Sequence, residues 1–157
     1  MFLLFPAGVF AGDIPLADDL QRDAARDRAV PVLLFFVSEG CPYCAIVEKD
    51  YLRPMHNSRE FTRQVIIRKI DIGESRKMKD FQGRELSHRE FARRARTSFT
   101  PTLRLYGAGG ADLVEPIIGY NTPQLYGGRI TRAIDDAREH LLRGDARGQR
   151  PDKQPLL

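Results

Sequence analysis

An uninterrupted apolar, β-prone run, Val30-Pro31-Val32-Leu33-Leu34-Phe35-Phe36-Val37, leads straight into Ser38-Glu39-Gly40-Cys41-Pro42-Tyr43-Cys44, and a segment with helical patterning follows. A run without polar alternation reads as a strand buried on both faces, central in a sheet that helices cover. Strand, turn and helix in that order place Cys41 and Cys44 in the first helical turn. They are the only two cysteines of the chain. With two residues between them, both sulfurs lie at one helix end and can close a small disulfide ring. A thiol at a helix N-terminus meets unpaired backbone N–H groups and the positive end of the macrodipole. Both favour thiolate, so the pKa of the more exposed cysteine is expected to fall from about 8.5 into the range of about 3.5–7.5. Pro42 suits the first turn, because its missing N–H would have no partner there.

The competing chemistry for such a pair is half of a zinc site, which takes four ligands. No second cysteine pair exists, and His56, His88 and His140 stand without ligand spacing. A purely structural role fits poorly, because so short a loop restrains the unfolded chain only weakly. Redox chemistry is the expected use, with no metal.

At 157 residues the chain has the length of one domain with a proper core. Apolar content of 42% and a mean hydropathy of −0.38 describe a soluble globular protein. The net charge of +4 comes mainly from arginines scattered over helices and tails. No basic run is interleaved with exposed aromatics, so a nucleic-acid partner is not expected. Residues 1–12 are apolar and the chain turns polar at Asp13. That stretch is too short to span a bilayer. It reads as a signal-peptide remnant, with Val9-Phe10-Ala11 as the small-x-small pattern, and points to a periplasmic, oxidising compartment. An uncleaved N-terminus would be a membrane tether.

Along the chain, Ile14 to Arg28 is expected to be an amphipathic helix with Asp13 as N-cap and Pro15 in its first turn. The helix opened by Pro42 should run to about Leu52 and break or kink at Arg53-Pro54, with Asn57-Ser58 recapping a further turn. Residues 65–72 form a second, β-branched strand, parallel to the first. Gln82-Gly83 is the turn of a small hairpin. Ser87 and Glu90 have capping-box spacing at the head of a helix, on which His88 is expected to be exposed. Leu103 to Tyr106 is a third strand, Gly107 to Gly110 a turn, and 112–119 an antiparallel fourth strand that Pro116 confines to an edge or a bulge. Thr122-Pro123 opens a closing helix with Leu125, Ile130, Ile134 and Leu141 among its apolar positions, and Gly144 ends it. Residues 13–142 are thus the domain and 143–157 a disordered tail.

The order β-α-β-α-β-β-α, with Cys-Pro-Tyr-Cys after the first strand and Thr100-Pro101-Thr102 entering the third, resembles the thioredoxin fold over residues 30–142. The resemblance implies an α/β domain with a central mixed four- to five-stranded sheet flanked by helices. It also implies a cis-proline at Pro101 beside Cys41, with the backbone of Thr100 pairing with an extended substrate segment. Within the superfamily the chain is most similar to the SoxW-like, secreted bacterial thioredoxins. That likeness rests on the N-terminus, on the context Glu39-Gly40-Cys41-Pro42-Tyr43-Cys44, on 80–87 before the third helix and on Ile118-Gly119-Tyr120. Cytosolic thioredoxin differs in three places: it has a tryptophan where Gly40 stands, a Gly-Pro dipeptide where Pro42-Tyr43 stands, and a buried acid where Phe35 stands. The proton acceptor for the second cysteine is then water or a nearby carboxylate such as Glu39.

The implied activity is protein thiol–disulfide exchange without a cofactor: Cys41 attacks, Cys44 resolves, Thr100 and Pro101 hold the substrate, and Pro42 and Tyr43 tune the potential and contact surface. Tyr43 as a packing residue is an equal alternative. The implied partners are protein disulfides and an upstream dithiol donor, and both directions of exchange use the same atoms. Two other readings remain open. Cys-Pro-Tyr-Cys is also the glutaredoxin dipeptide context, for which Gly127-Gly128 would have to shape a glutathione site. Two soft thiolates also suit Cu(I), as in a metallochaperone.

Overall fold

In the computed structural model, which describes residues 12–148, β1 (Val32–Val37) lies at the centre of a four-stranded mixed sheet. The strand order is β2 (Ile66–Asp71), β1, β5 (Thr102–Tyr106), β6 (Ile117–Ile118). On one side β1 pairs in parallel with β2, from Val32 opposite Ile66 to Val37 opposite Asp71. On the other it runs antiparallel to β5. Its side chains alternate between two apolar layers, Leu33 and Phe35 in one and Val32, Leu34 and Phe36 in the other. That double burial is why the run carries no polar alternation.

The layer on the Phe35 side receives the helical stretch that opens at Pro42 and the closing helix α5 (Pro123–Gly148). The opposite layer receives α1 (Leu20–Ala25), the hairpin of β3 (Lys77–Lys79) and β4 (Glu85–Ser87), and α4 (His88–Arg94). Ser87 and Glu90 form the expected reciprocal capping box. The hairpin turns at Gly83, whose φ of 75° favours glycine.

Several elements differ from the sequence expectation. Residues 14–17 are not helical: the Ala17 N–H donates to Lys69 O, the Lys69 N–H donates to Pro15 O, and the segment lies along the outer edge of β2. The edge of β2 offers this segment backbone partners, and that pairing with Lys69 replaces the helix. α1 starts only at Leu20, where the Asp19 carboxylate accepts from the Arg22 N–H. The second helix does not break at Pro54. α2 (Pro42–Val47) passes through a π turn, Glu48–Leu52, into α3 (Arg53–His56). The Arg53 N–H there bonds Glu48 O, five residues back, so a wider turn accommodates the proline that an α-helical turn would reject. Asn57 caps the C-terminus of α3, and its side-chain amide clamps the backbone of Gly12 at 2.8 and 2.9 Å.

His88 is fully buried rather than exposed. Its Nδ1 accepts the Asp71 N–H at 3.3 Å, and its Nε2 donates to Ala17 O at 2.9 Å. Burial above all lowers its pKa below 6.5. The fourth strand contracts to β6 (Ile117–Ile118), directly after Pro116. α5 begins at Pro123 as expected, but Thr122 has a left-handed φ of 49°, outside N-cap geometry, and Leu125 points to solvent while Tyr126 fills the core. The helix passes through Gly144 to Gly148, since one interior glycine costs only about 1 kcal/mol and no proline follows before Pro151. The signal-remnant reading of residues 1–12, apart from Gly12, and the tail beyond 148 lie outside the described residues.

Candidate redox site

Three chain segments meet at the end of β1. The first is 38–44. Gly40 takes a φ of 68°, which turns the chain out of the strand, and Cys41 stands as N-cap of α2 in an extended conformation. Pro42 occupies the first helical position, as its missing N–H predicts. The Cys41 Sγ accepts the Cys44 N–H at 3.2 Å and is joined to Cys44 in a disulfide. The two sulfurs differ in access: Cys41 is half-buried, whereas Cys44 is only 5% exposed and belongs to the core cluster with Val47 and Phe35. Once the bond is reduced, the helix terminus and this N–H stabilise negative charge on Cys41.

The second segment is 99–101. The Thr100–Pro101 peptide bond is cis. The Thr100 hydroxyl meets the Ser38 hydroxyl at 2.7 Å, which ties this turn to the one leading into Cys41. Among the hydrogen bonds of the described residues, the backbone N–H and C=O of Thr100 take no partner. The third segment is 118–120: Gly119, at a φ of 74°, donates its N–H to Pro101 O at 2.8 Å. Tyr120 then brings its ring to 5.9 Å from Tyr43.

Of the two roles the sequence left open for Tyr43, the structure shows the packing one. It is 56% exposed and also packs on Tyr120. Behind it, Tyr51, Tyr120 and Tyr126 form a mutually tilted cluster with centroids 5.0 to 6.1 Å apart. The Tyr51 hydroxyl donates to Pro123 O at 3.1 Å and so accepts from Tyr120 at 3.3 Å. That bond first, and burial second, push the Tyr120 pKa up to about 12. Gly127 lies inside α5 close against Tyr51: a Cβ there would stand 3.3 Å from the ring, which would have to give by a few tenths of an ångström. The glycine pair that would have served a glutathione site has this packing role at its first member.

Glu39, the carboxylate singled out from the sequence, is exposed and makes no hydrogen bond or ion pair among the described residues. A different carboxylate is present. A shallow groove of about 520 Å³ beside the cysteines is lined by Ser38, Cys41, Cys44, Glu48 and Lys69, among others. In it Lys69 Nζ lies 3.0 Å from Glu48 Oε1. Sequence reasoning passed over both residues. Lys69 falls within the second strand, and Glu48 within the helix opened by Pro42. The available signal was spacing: Glu48 follows Cys44 by four positions and so stands above it on one helix face.

A mixed sheet of this order, covered by helices and with a dicysteine helix cap at the end of its central strand, defines a thioredoxin fold with its redox-type cysteine pair. The family model of the thioredoxin-like domain matches residues 19–131, and the chain belongs to that family. Solved structures agree on the fold. The thioredoxin of Malassezia sympodialis is 12% identical at a TM-score of 0.56, over 81% of this chain and 95% of that one. Mitochondrial thioredoxin 3 of Saccharomyces cerevisiae is 17% identical at 0.52, over 78% and 94%. Trxlp of Edwardsiella tarda is 21% identical at 0.52, over 75% and 97%. No curated protein sequence matches. Family and cysteine pair together make the chain a thiol–disulfide oxidoreductase.

Proposed function

We propose that the protein exchanges disulfides with other proteins in a bacterial periplasm, as a secreted thioredoxin of the SoxW-like kind. The observation that carries the reading is the asymmetry of the cysteine pair, with Cys41 open at a helix N-terminus and Cys44 closed off behind it. In the reduced protein Cys41 is the thiolate. Its sulfur attacks a substrate disulfide, one substrate sulfur leaves with the electron pair of the broken bond, and a mixed disulfide remains. Cys44, as thiolate, then attacks Cys41 Sγ. The bond from Cys41 to the substrate breaks, its electron pair leaves on the second substrate sulfur, and both substrate sulfurs end as thiols. The free backbone groups of Thr100 support the pairing role given to that residue, and Pro101 sets the turn that presents them. Pro42 and the open ring of Tyr43 shape the contact surface. An upstream dithiol donor regenerates the reduced pair. The periplasmic location rests on the apolar residues 1–12 and the SoxW-like motif context.

The test is trapping in cell envelopes. Cys44→Ser is expected to accumulate substrates as mixed disulfides, and Cys41→Ser to abolish insulin reduction. Equal insulin reduction by wild type and Cys41→Ser would rule the reading out. Direction follows from the potential, with a value near −270 mV marking a reductant and one near −120 mV an oxidant.

A further inference from the structure

Resolution of the mixed disulfide requires Cys44 to lose a proton, and its sulfur lies where solvent reaches poorly. A buried thiol is a weaker acid than a free one, so without a local acceptor this step is slow. The groove beside Cys44 contains two ionisable side chains besides the cysteines, Glu48 and Lys69. Both are largely enclosed, with side-chain exposures of 15% and 21%. Their placement follows from two periodicities. Glu48 stands one turn beyond Cys44 on the same helix, and its N–H bonds back to Cys44 O. Lys69 is the register partner of Phe35 in β2, so its side chain leaves the sheet on the face that α2 covers. Phe35 removes any carboxylate from the central strand. The helix supplies one from above instead.

We propose that Glu48 is the proton acceptor for Cys44 in the resolving step, and that Lys69 is the positioning residue that holds its carboxylate in the groove. This rests on the exchange activity proposed above. Before resolution Cys44 is a thiol and Glu48 a carboxylate. The proton passes from Cys44 Sγ to Glu48, directly or through a water for which the groove has room. The Cys44 thiolate attacks Cys41 Sγ, and the departing substrate thiolate takes up the proton as Glu48 returns to its charged form. The charged groups facing Glu48 are Lys69 from β2 and Arg53 from α3, the latter at 3.7 Å and itself held by Asp13 at 3.1 Å. Both cations contact the same oxygen, Oε1, so they fix the carboxylate in the groove while Oε2 makes no ion pair among the described residues. Asp50 and Lys49, on the same helical stretch, are exposed and absent from the groove.

The experiment separates the two chemical steps in the full-length protein. Attack by Cys41 is timed in a Cys44→Ser background with a fluorescent peptide disulfide. Resolution is timed by release of the reduced peptide from the protein with both cysteines. Glu48→Gln is expected to leave attack unchanged and to slow resolution by roughly 10²-fold at pH 7. The deficit should shrink as pH rises, because hydroxide then deprotonates Cys44 unaided, and Glu48→Asp should restore part of the rate. An unchanged resolution rate in Glu48→Gln would overturn the proposal. So would a deficit constant with pH, an equal slowing of attack, or slowing by Glu39→Gln in its place. If the wild type itself fails to form the mixed disulfide, the activity reading falls, and that result is distinct from all of these.

Discussion

Neighbouring residues of β2 carry ion pairs into opposite layers, and the two pairs are built differently. Arg68 reaches Asp23 of α1 in a two-pronged contact, Nε to Oδ2 at 2.7 Å and Nη2 to Oδ1 at 2.8 Å, with the Asp23 side chain 3% exposed. Lys69 meets Glu48 through a single contact, and both side chains remain open to the groove by the cysteines. A two-pronged pair whose carboxylate is almost wholly enclosed ties helix to sheet. A pair with unused acceptor capacity facing a reacting sulfur is available for chemistry. One residue of chain separates the two settings, since successive strand side chains point to opposite faces.

The largest effect expected on stability comes from breaking the closed pair. Asp23→Ala leaves Arg68 uncompensated in a layer with little water, and should lower the unfolding free energy of the oxidised protein by about 3–5 kcal/mol in urea titration. Replacing both partners, Asp23→Leu with Arg68→Met, should recover most of that loss. Glu48→Gln should cost less than Asp23→Ala, because Lys69 and Arg53 each make only a single contact to one oxygen and the amide keeps an acceptor there. A greater loss from Glu48→Gln than from Asp23→Ala would break the comparison.

A smaller effect, confined to mild acid, belongs to His88, which joins residues 14–17 to the end of β2. Its Nδ1 accepts a backbone N–H, so protonation would set donor against donor. Asp71, Glu74 and Arg76 also face the ring. Because the folded pKa lies below 6.5, the unfolded chain takes the proton first. The stability His88 contributes is complete above about pH 6.5 and is lost as pH falls toward the folded value. Thermal unfolding at pH 7.5 and 5.5 should therefore show a larger drop in wild type than in His88→Gln.

The smallest effect sharpens the view of α5 against the tyrosine cluster. Gly128 faces open space, so Gly128→Ala should raise the melting temperature through a gain of up to about 1 kcal/mol. Gly127→Ala should lose that gain to the clash with Tyr51, whose ring is fixed by bonds to Pro123 and Tyr120. Equal gains at both positions would show that Tyr51 yields.

Much of the frame was legible because it follows from local rules. The apolar run of β1, the helix start at Pro42, the Ser87–Glu90 box and the hairpin at Gly83 each depend on residues within a few positions of one another. Where the reading failed, a distant partner had decided. Residues 14–17 have an apolar spacing that suits a helix, yet they pair with the edge of β2, which the chain reaches some fifty residues later. His88 sits at a helix start that looks exposed, but Ala17 and Asp71 close over it.

The amino-acid order by itself determined the two cysteines, their place at a helix N-terminus and the proline that opens it, since two intervening residues and one missing N–H suffice for that geometry. Only the tertiary structure decided what surrounds the acid one turn beyond Cys44 and that Glu39 stands apart from the groove. Glu39 is nearer Cys41 in sequence, but the turn at Gly40 leaves it in solvent, while the helix and the strand pairing bring Glu48 and Lys69 together across 21 residues. Proton transfer depends on distance in space, and chain proximity does not fix that distance.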